Sequence, residues 1–515
     1  MGSIKMRQLS TFVLALSIAT NSLSAYSCTT IVVGKHATVD GSIIIARNED
    51  TDGADDPQNM TRTPPRQAAS LFVSNSIQNS NNNRFNWEMP PNALGYLAFP
   101  NWQSLGKSSL SFEETGINDD GVAISATETI FNSEAALKAD PYLASTGVTE
   151  DAVTSVVLPY ATSAKEGVRL LGRVIERAGA GEGFGVAFSD RNEAWYLETA
   201  SGLHWLAMRI PDNSFFISSN QGRLQQADLG DTMNAMASPG LIEFATKNGL
   251  YDPKLGEFNF FKCCISNTEH DKTYNYPRVK TLLQQLGGVT YEPDDGLYPV
   301  FVAPANKLSV ADVIKALRNH YAGTVHDPYQ QQNPKEPDRP VSVLRASLSH
   351  VTQTRPNLPD DIAMVQYIAL GLTDLAAYIP FYKGLAEIPP SYQGATGSLD
   401  HRATFWKYRK LQTLVMQDYP RLASGVHEAI ANFEKSVADR QIAMEGEYLD
   451  LVRKDGAAAR ALIQAFTNSI LTDQDALLAE LTARLTRDLG LKNLTDQQME
   501  QLIKDTEKRY HFHGA

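Results

Sequence analysis

The sequence predicts an α+β protein, with strands concentrated before residue 389 and helices after residue 401. Three patterns carry that prediction. Two runs rich in β-branched residues, 28–35 and 41–47, flank a turn ending Asp40-Gly41 and read as a hairpin. Short runs at 185–189, 194–199, 204–210 and 214–218, separated by tight turns such as Asp190-Arg191-Asn192, read as a meander. Beyond the Pro389-Pro390 hinge few strand patterns remain, and apolar residues follow helical spacing.

The first segment, 1–27, reads as a secretory signal peptide. Lys5 and Arg7 precede an apolar run from Phe12 to Ala19 that is too short to span a bilayer, and small polar residues follow. Ala25 and Ser27 occupy the positions where signal peptidase takes small residues, so cleavage leaves Cys28 first in the mature chain. A cut after Ala25 competes, and a lipoprotein site would also put a cysteine at the new terminus. The expected product is exported, periplasmic or secreted, without stable membrane association after signal removal.

Composition narrows the function. The 515 residues carry 46 Lys plus Arg against 58 Asp plus Glu, a formal charge of −12, with no long basic cluster to attract a phosphate backbone. Nucleic acid is therefore not an expected partner. The three cysteines are Cys28, Cys263 and Cys264. An adjacent pair is poorly spaced for a relaxed disulfide, so Cys263 and Cys264 are expected as small buried hydrophobes.

The hairpin gives Cys28 its neighbours. Its two legs are of similar length, so antiparallel pairing should return Arg47 to the vicinity of Cys28, with Asp50 just beyond. A thiol with an ordinary pKa of about 8.5 is a weak nucleophile until a base takes its proton. An α-amine on the same residue, near about 7.7–8.0, can do so at neutral pH. Arg47 would favour the thiolate and hold a substrate carbonyl or carboxylate; Asp50 would orient the ammonium.

Here the residues resemble a known family. Cys28-Thr29-Thr30, Asp40-Gly41 and Ala46-Arg47-Asn48-Glu49-Asp50 are similar to the start of the dipeptidases of the C69 peptidases, which are N-terminal-nucleophile (Ntn) hydrolases. The likeness continues through 116–125, 147–151, 158–172, Glu193–Thr199, Gly202–Trp205 and Ser218–Gln221, with a weaker echo at 379–382. The resemblance implies a four-layer αββα sandwich, the Ntn-hydrolase fold. With the signal pattern and the Pro389-Pro390 hinge, the chain divides into a signal peptide, 1–27, a catalytic domain, 28–388, and a helical C-terminal extension, 389–515. It also implies an oxyanion role for Asn220, which the residues alone read as a turn residue before Gly222, and makes Arg278 the counterpart of a further active-site arginine. The backbone oxyanion donor after Ser125 stays open, and Leu203 stands where the family has the first His of Gly-His-His-Trp.

Other motifs fall away. Gly179-Ala180-Gly181-Glu182-Gly183 follows a helical run and precedes a strand, the reverse of a dinucleotide loop, and reads as a helix C-cap. His427-Glu428 lacks the second histidine of a zinc-protease motif, because residue 431 is Ala. His511-Phe512-His513 reads as a tail. Near the end, Leu477, Leu478, Leu481 and Leu485 mark a helix after Thr472-Asp473 that Gly490 stops, and Thr495 with Gln498 fits a capping box.

The expected activity is hydrolysis of small peptides, dipeptides first, through a Cys28 acyl-enzyme without a cofactor or metal. The site residues are Cys28, Arg47, Asp50, Asn220 and Arg278. The alternatives are an acylase for a penicillin or conjugated bile salt, and a non-catalytic exported binding protein or lipoprotein. A homo-oligomer is left open.

Overall fold

The β-branched runs at the start of the mature sequence do form a hairpin, of β1 (Thr29–Val33) and β2 (Ile43–Asp50), every residue of which is buried. A computed structural model describes residues 28–510 apart from 52, 76–81, 108, 294, 331–337 and 492–493. The expected signal peptide, 1–27, and the terminal His511 and His513 lie outside the described residues.

Strands continue through β3 (Thr61–Thr63), β4 (Ser70–Val73), β5 (Asn86–Met89), β6 (Tyr96–Ala98), β7 (Thr115–Asn118) and β8 (Ala123–Thr129). Then come β9 (Phe184–Ser189), β10 (Ala194–Thr199), β11 (Trp205–Arg209), β12 (Phe215–Ser218) and β13 (Ala235–Ala237). The last are β14 (Ala346–Thr354), β15 (Met364–Leu370) and β16 (Ile379–Tyr382). One sheet has six strands in the order β12-β1-β2-β14-β15-β16, and a second has eight in the order β13-β11-β10-β9-β8-β7-β6-β3. A separate ribbon pairs β4 with β5. Among the described residues, the strands of each sheet pair antiparallel, as in β1 with β2, β2 with β14 and β8 with β9.

Alternation along each strand distributes its side chains between two apolar clusters. Val32, Ile43 and Ile45 of the six-stranded sheet share one buried cluster with Ile117, Ala123, Ala187, Tyr196 and Leu206 of the eight-stranded sheet. The intervening residues Ile31, Val33, Ile44 and Ala46 join another, with Leu282, Leu283 and Leu286 of the helix Tyr276–Gly287. On the eight-stranded sheet, Ile124, Val186, Phe188 and Trp195 pack with Val168, Leu171 and Ile175 of the helix Ala164–Ala178. Gly179 ends that helix with φ +79°, the glycine C-cap that the sequence indicated.

The meander needs one correction. β9, β10 and β11 are sequential neighbours in the eight-stranded sheet, but β12 leaves it and pairs with β1, Ser218 opposite Thr30. Local patterns mark where strands begin and end, whereas their partners are chosen by tertiary packing. This crossing brings the segment after Ser218 to the edge where Cys28 lies.

The C-terminal region is helical: Thr404–Val415, Tyr419–Leu451, Gly456–Asp488 and Asp496–Arg509. Thr495 and Gln498 form the expected capping box. The preceding helix starts at Gly456, not near Thr472, because Asp455 caps the amides of Ala457 and Ala458. Leu411, Leu414, Ile463 and Ile470 enter the same buried cluster as Ile44 and Ala46. Among the described residues, no helix is long and apolar enough to cross a membrane.

Candidate active site

The site is built where β1 starts and β2 ends. The register pairs Thr30 with Arg47 and Thr29 with Asn48, so Arg47 stops short of Cys28 and Glu49 reaches its level. Alternation then turns Arg47 and Glu49 toward the space between the sheets, with Ile43 and Ile45. Glu49 Oε2 accepts a hydrogen bond from the Cys28 thiol at 3.2 Å. Cys28 is fully buried, and burial followed by the charge of Glu49 pushes its thiol up, against the pull of Arg47.

Arg47 is committed to protein partners. Its guanidinium lies 2.7 Å from Glu49 and also binds the Glu114 carboxylate. It donates to the carbonyls of Ala126 at 2.7 Å, Glu114 at 3.1 Å and Thr127. The carbonyls of Ala126 and Thr127 lie where β8 slips register against β9, between Ala126 and Glu128. Arg47 thus lies near the sulfur, as expected, but its terminal nitrogens serve carboxylates and backbone.

Asp50 lies close enough for its charge to help raise the Cys28 thiol, and its carboxylate pairs with Arg339. Tyr274 stands beside this pair, with the guanidinium carbons of Arg339 and Arg278 each 5.2 Å from its ring centroid.

Arg278 joins the remaining parts. It projects from the helix Tyr276–Gly287 and is fully buried. One terminal nitrogen donates to the Cys28 carbonyl at 2.6 Å and to Thr29 Oγ1 at 3.0 Å. The other donates to Asn220 Oδ1 at 2.9 Å and Asn275 Oδ1 at 2.7 Å. Its Nε holds the Tyr274 carbonyl at 2.9 Å. Burial, then the nearby Arg339, lowers the Arg278 pKa to about 10, so it stays a cation at neutral pH. An Asn whose oxygen is held by a guanidinium presents its NH₂ as a donor, and Asn220 Nδ2 reaches the Thr129 carbonyl at 3.2 Å. Asn220 is buried and lies two residues beyond β12.

The structure therefore brings Cys28, Arg47, Asn220 and Arg278 together and gives Asp50 to Arg339. Glu49, Glu114, Glu128 and Arg339 were absent from the expected set. Glu49 was recoverable, since the alternation that faces Arg47 inward faces Glu49 with it. Glu128, whose Oε2 accepts from Thr30 Oγ1 at 2.8 Å, and Glu114 arrive from the other sheet, which no local pattern foretells. Cys263 and Cys264 are buried free thiols, as expected. Among the described residues, no group of three His, Cys, Asp or Glu is arranged to hold a metal ion.

Comparison with known proteins adds the family. The model of peptidase family C69 matches residues 27–432. A probable dipeptidase of Salmonella dublin is 48% identical over 367 residues, covering 71% of this chain and 82% of that protein. A probable dipeptidase of Latilactobacillus sakei is 32% identical over 490 residues, covering 92% and 98%. A dipeptidase of Bifidobacterium longum is 30% identical over 527 residues, covering 94% and 96%. Among solved structures, a variant of conjugated bile acid hydrolase from Clostridium perfringens matches with TM-score 0.28 and 10% identity, over 73% of this chain and 99% of that one.

Proposed function

This chain belongs to peptidase family C69, and we propose that it is an exported dipeptidase whose nucleophile, Cys28, acts from the amino terminus of the processed chain. The observation that carries this reading is the Arg278 clamp: one guanidinium holds the Cys28 carbonyl and the Asn220 side-chain oxygen. A thiol and an amide donor are thereby held in a fixed relation, which acyl transfer requires.

In the proposed reaction the α-amine of Cys28 takes the thiol proton and the sulfur attacks the scissile carbonyl. Asn220 Nδ2 donates to the oxyanion. The resulting α-ammonium protonates the leaving amine, and water then cleaves the thioester. The two sheets and their helices fit the four-layer αββα sandwich of Ntn hydrolases, supported by the cluster shared between the sheets and the two clusters shared with helices. Export rests on the pattern of residues 1–27.

The test is a substrate panel of dipeptides, tripeptides, a penicillin and a conjugated bile salt. Dipeptides are the expected substrates, and Cys28→Ala should fold normally and turn over none. Absence of dipeptide hydrolysis by the processed protein would overturn the proposal, and hydrolysis of an acyl amide alone would assign an acylase instead.

A further inference from the structure

We propose that Glu114 is a positioning residue for the nucleophile: by sharing one proton with Glu49 beneath Arg47, it keeps the carboxyl that touches the Cys28 sulfur uncharged. The inference rests on Cys28 being the nucleophile, and it concerns groups that the proposed reaction does not itself use.

The geometry is a buried triangle of two carboxyls and one guanidinium. Glu49 Oε2 is both the acceptor of the Cys28 thiol at 3.2 Å and the oxygen 2.7 Å from Arg47 Nη2. That same nitrogen binds Glu114 Oε2. Both carboxyls therefore meet at one Arg47 nitrogen, and two buried carboxyls beside a single guanidinium relieve their mutual repulsion by keeping one proton between them. The three side chains are almost wholly out of water, with 0% exposure at Arg47 and 4% at each glutamate. One cation balances one carboxylate, so a second ionised carboxylate would be a buried, unpaired charge.

Groups on the surrounding elements push the same way. Glu128 of β8 and Glu150, ahead of the helix Val153–Val157, add negative charge nearby. His350, opposite Arg47 on β14, supplies no compensating charge: burial and then Arg47 hold its pKa well below the ordinary value. Its Nε2 lies 2.9 Å from Ser125 Oγ. Burial, then the charge of Glu114, pushes the Glu49 carboxyl up, and burial brings Glu114 to about 7. The two carboxyls titrate as a pair, and at neutral pH the pair holds its proton.

The consequence falls on the attacking sulfur. When the thiol proton passes to the α-amine, a new anion appears in contact with Glu49. A carboxylate there would oppose it as a like charge, whereas a protonated carboxyl does not. The pair gains and loses no proton in this step. Its proton only has to remain, and Glu114 is the partner that retains it.

Glu114→Gln and Glu49→Gln separate this role from a structural one. The readout is the pH dependence of Cys28 alkylation by iodoacetamide, followed by peptide mapping to exclude Cys263 and Cys264. In Glu114→Gln the shared proton has no second carboxyl, Glu49 ionises against Arg47, and thiolate forms beside an anion. Alkylation at neutral pH should slow at least about tenfold, with its midpoint raised by about one pH unit or more. Glu49→Gln keeps an uncharged group at the sulfur and should stay within about threefold of wild type, which is under half a pH unit. The double variant should regain the Glu49→Gln rate. A Glu114→Gln variant that behaves as wild type would overturn the inference. So would a Glu49→Gln variant that reacts about tenfold faster, or a double variant as slow as Glu114→Gln. The assay needs no peptide turnover: the expected pattern without dipeptide hydrolysis would sink the proposed activity and leave this inference standing. Complete protection of wild-type Cys28 would overturn both.

Discussion

Asn220 shows how a residue acquires a role from its surroundings. By itself, Ser219-Asn220-Gln221 is a turn, and the bridge between Ser219 and Gln221 confirms that local geometry. Arg278 converts it by holding Oδ1, and Asn275 Nδ2 fixes the Asn220 carbonyl at 3.3 Å. Asn220→Ala removes the aimed amide and leaves Cys28 in place. We expect kcat to fall by about 10²–10³, equivalent to about 2.7–4 kcal/mol, with little change in KM. A loss of kcat under about threefold would show that the oxyanion is held elsewhere. At this scale the meeting of Cys28 with Asn220 and Arg278 is legible in the sequence only through family resemblance. Asp50 lies within charge reach of Cys28, as the count back along the hairpin indicates, but no local pattern foretells its partner Arg339.

Secondary-structure elements were easier to read than their partners. The hairpin, β9 to β11, the Gly179 cap and the Thr495 capping box all followed from local chemistry. The transfer of β12 to the other sheet did not, because it depends on packing between segments nearly two hundred residues apart, such as Ser218 opposite Thr30. The late helices illustrate the same division. Helical spacing was visible, while their attachment to the six-stranded sheet had no local signal. Leu411 is fully buried in the helix Thr404–Val415, within the cluster that contains Ile44 and Val365. Leu411→Ala should cost about 2–5 kcal/mol through the cavity it leaves. Urea unfolding should then show one transition moved to lower denaturant. A second, separately shifted transition would mean that the helical region unfolds independently of the strands.

Across the whole molecule, the same six-stranded sheet serves chemistry at one end and packing along its faces. Its strands bring Cys28 and Glu49 together, and its residues share one buried cluster with the second sheet and another with helices as distant as Tyr276–Gly287 and Gly456–Asp488. The proposed mechanism depends on where the mature chain begins. If the α-amine of Cys28 is the base, activity cannot exist while residue 27 is attached. The direct measurement is the N-terminal residue of the fully active protein, by mass spectrometry or sequencing. The expected result is Cys28, with full dipeptidase activity. A fully active protein beginning at Met1, Tyr26 or Ser27 would contradict the mechanism.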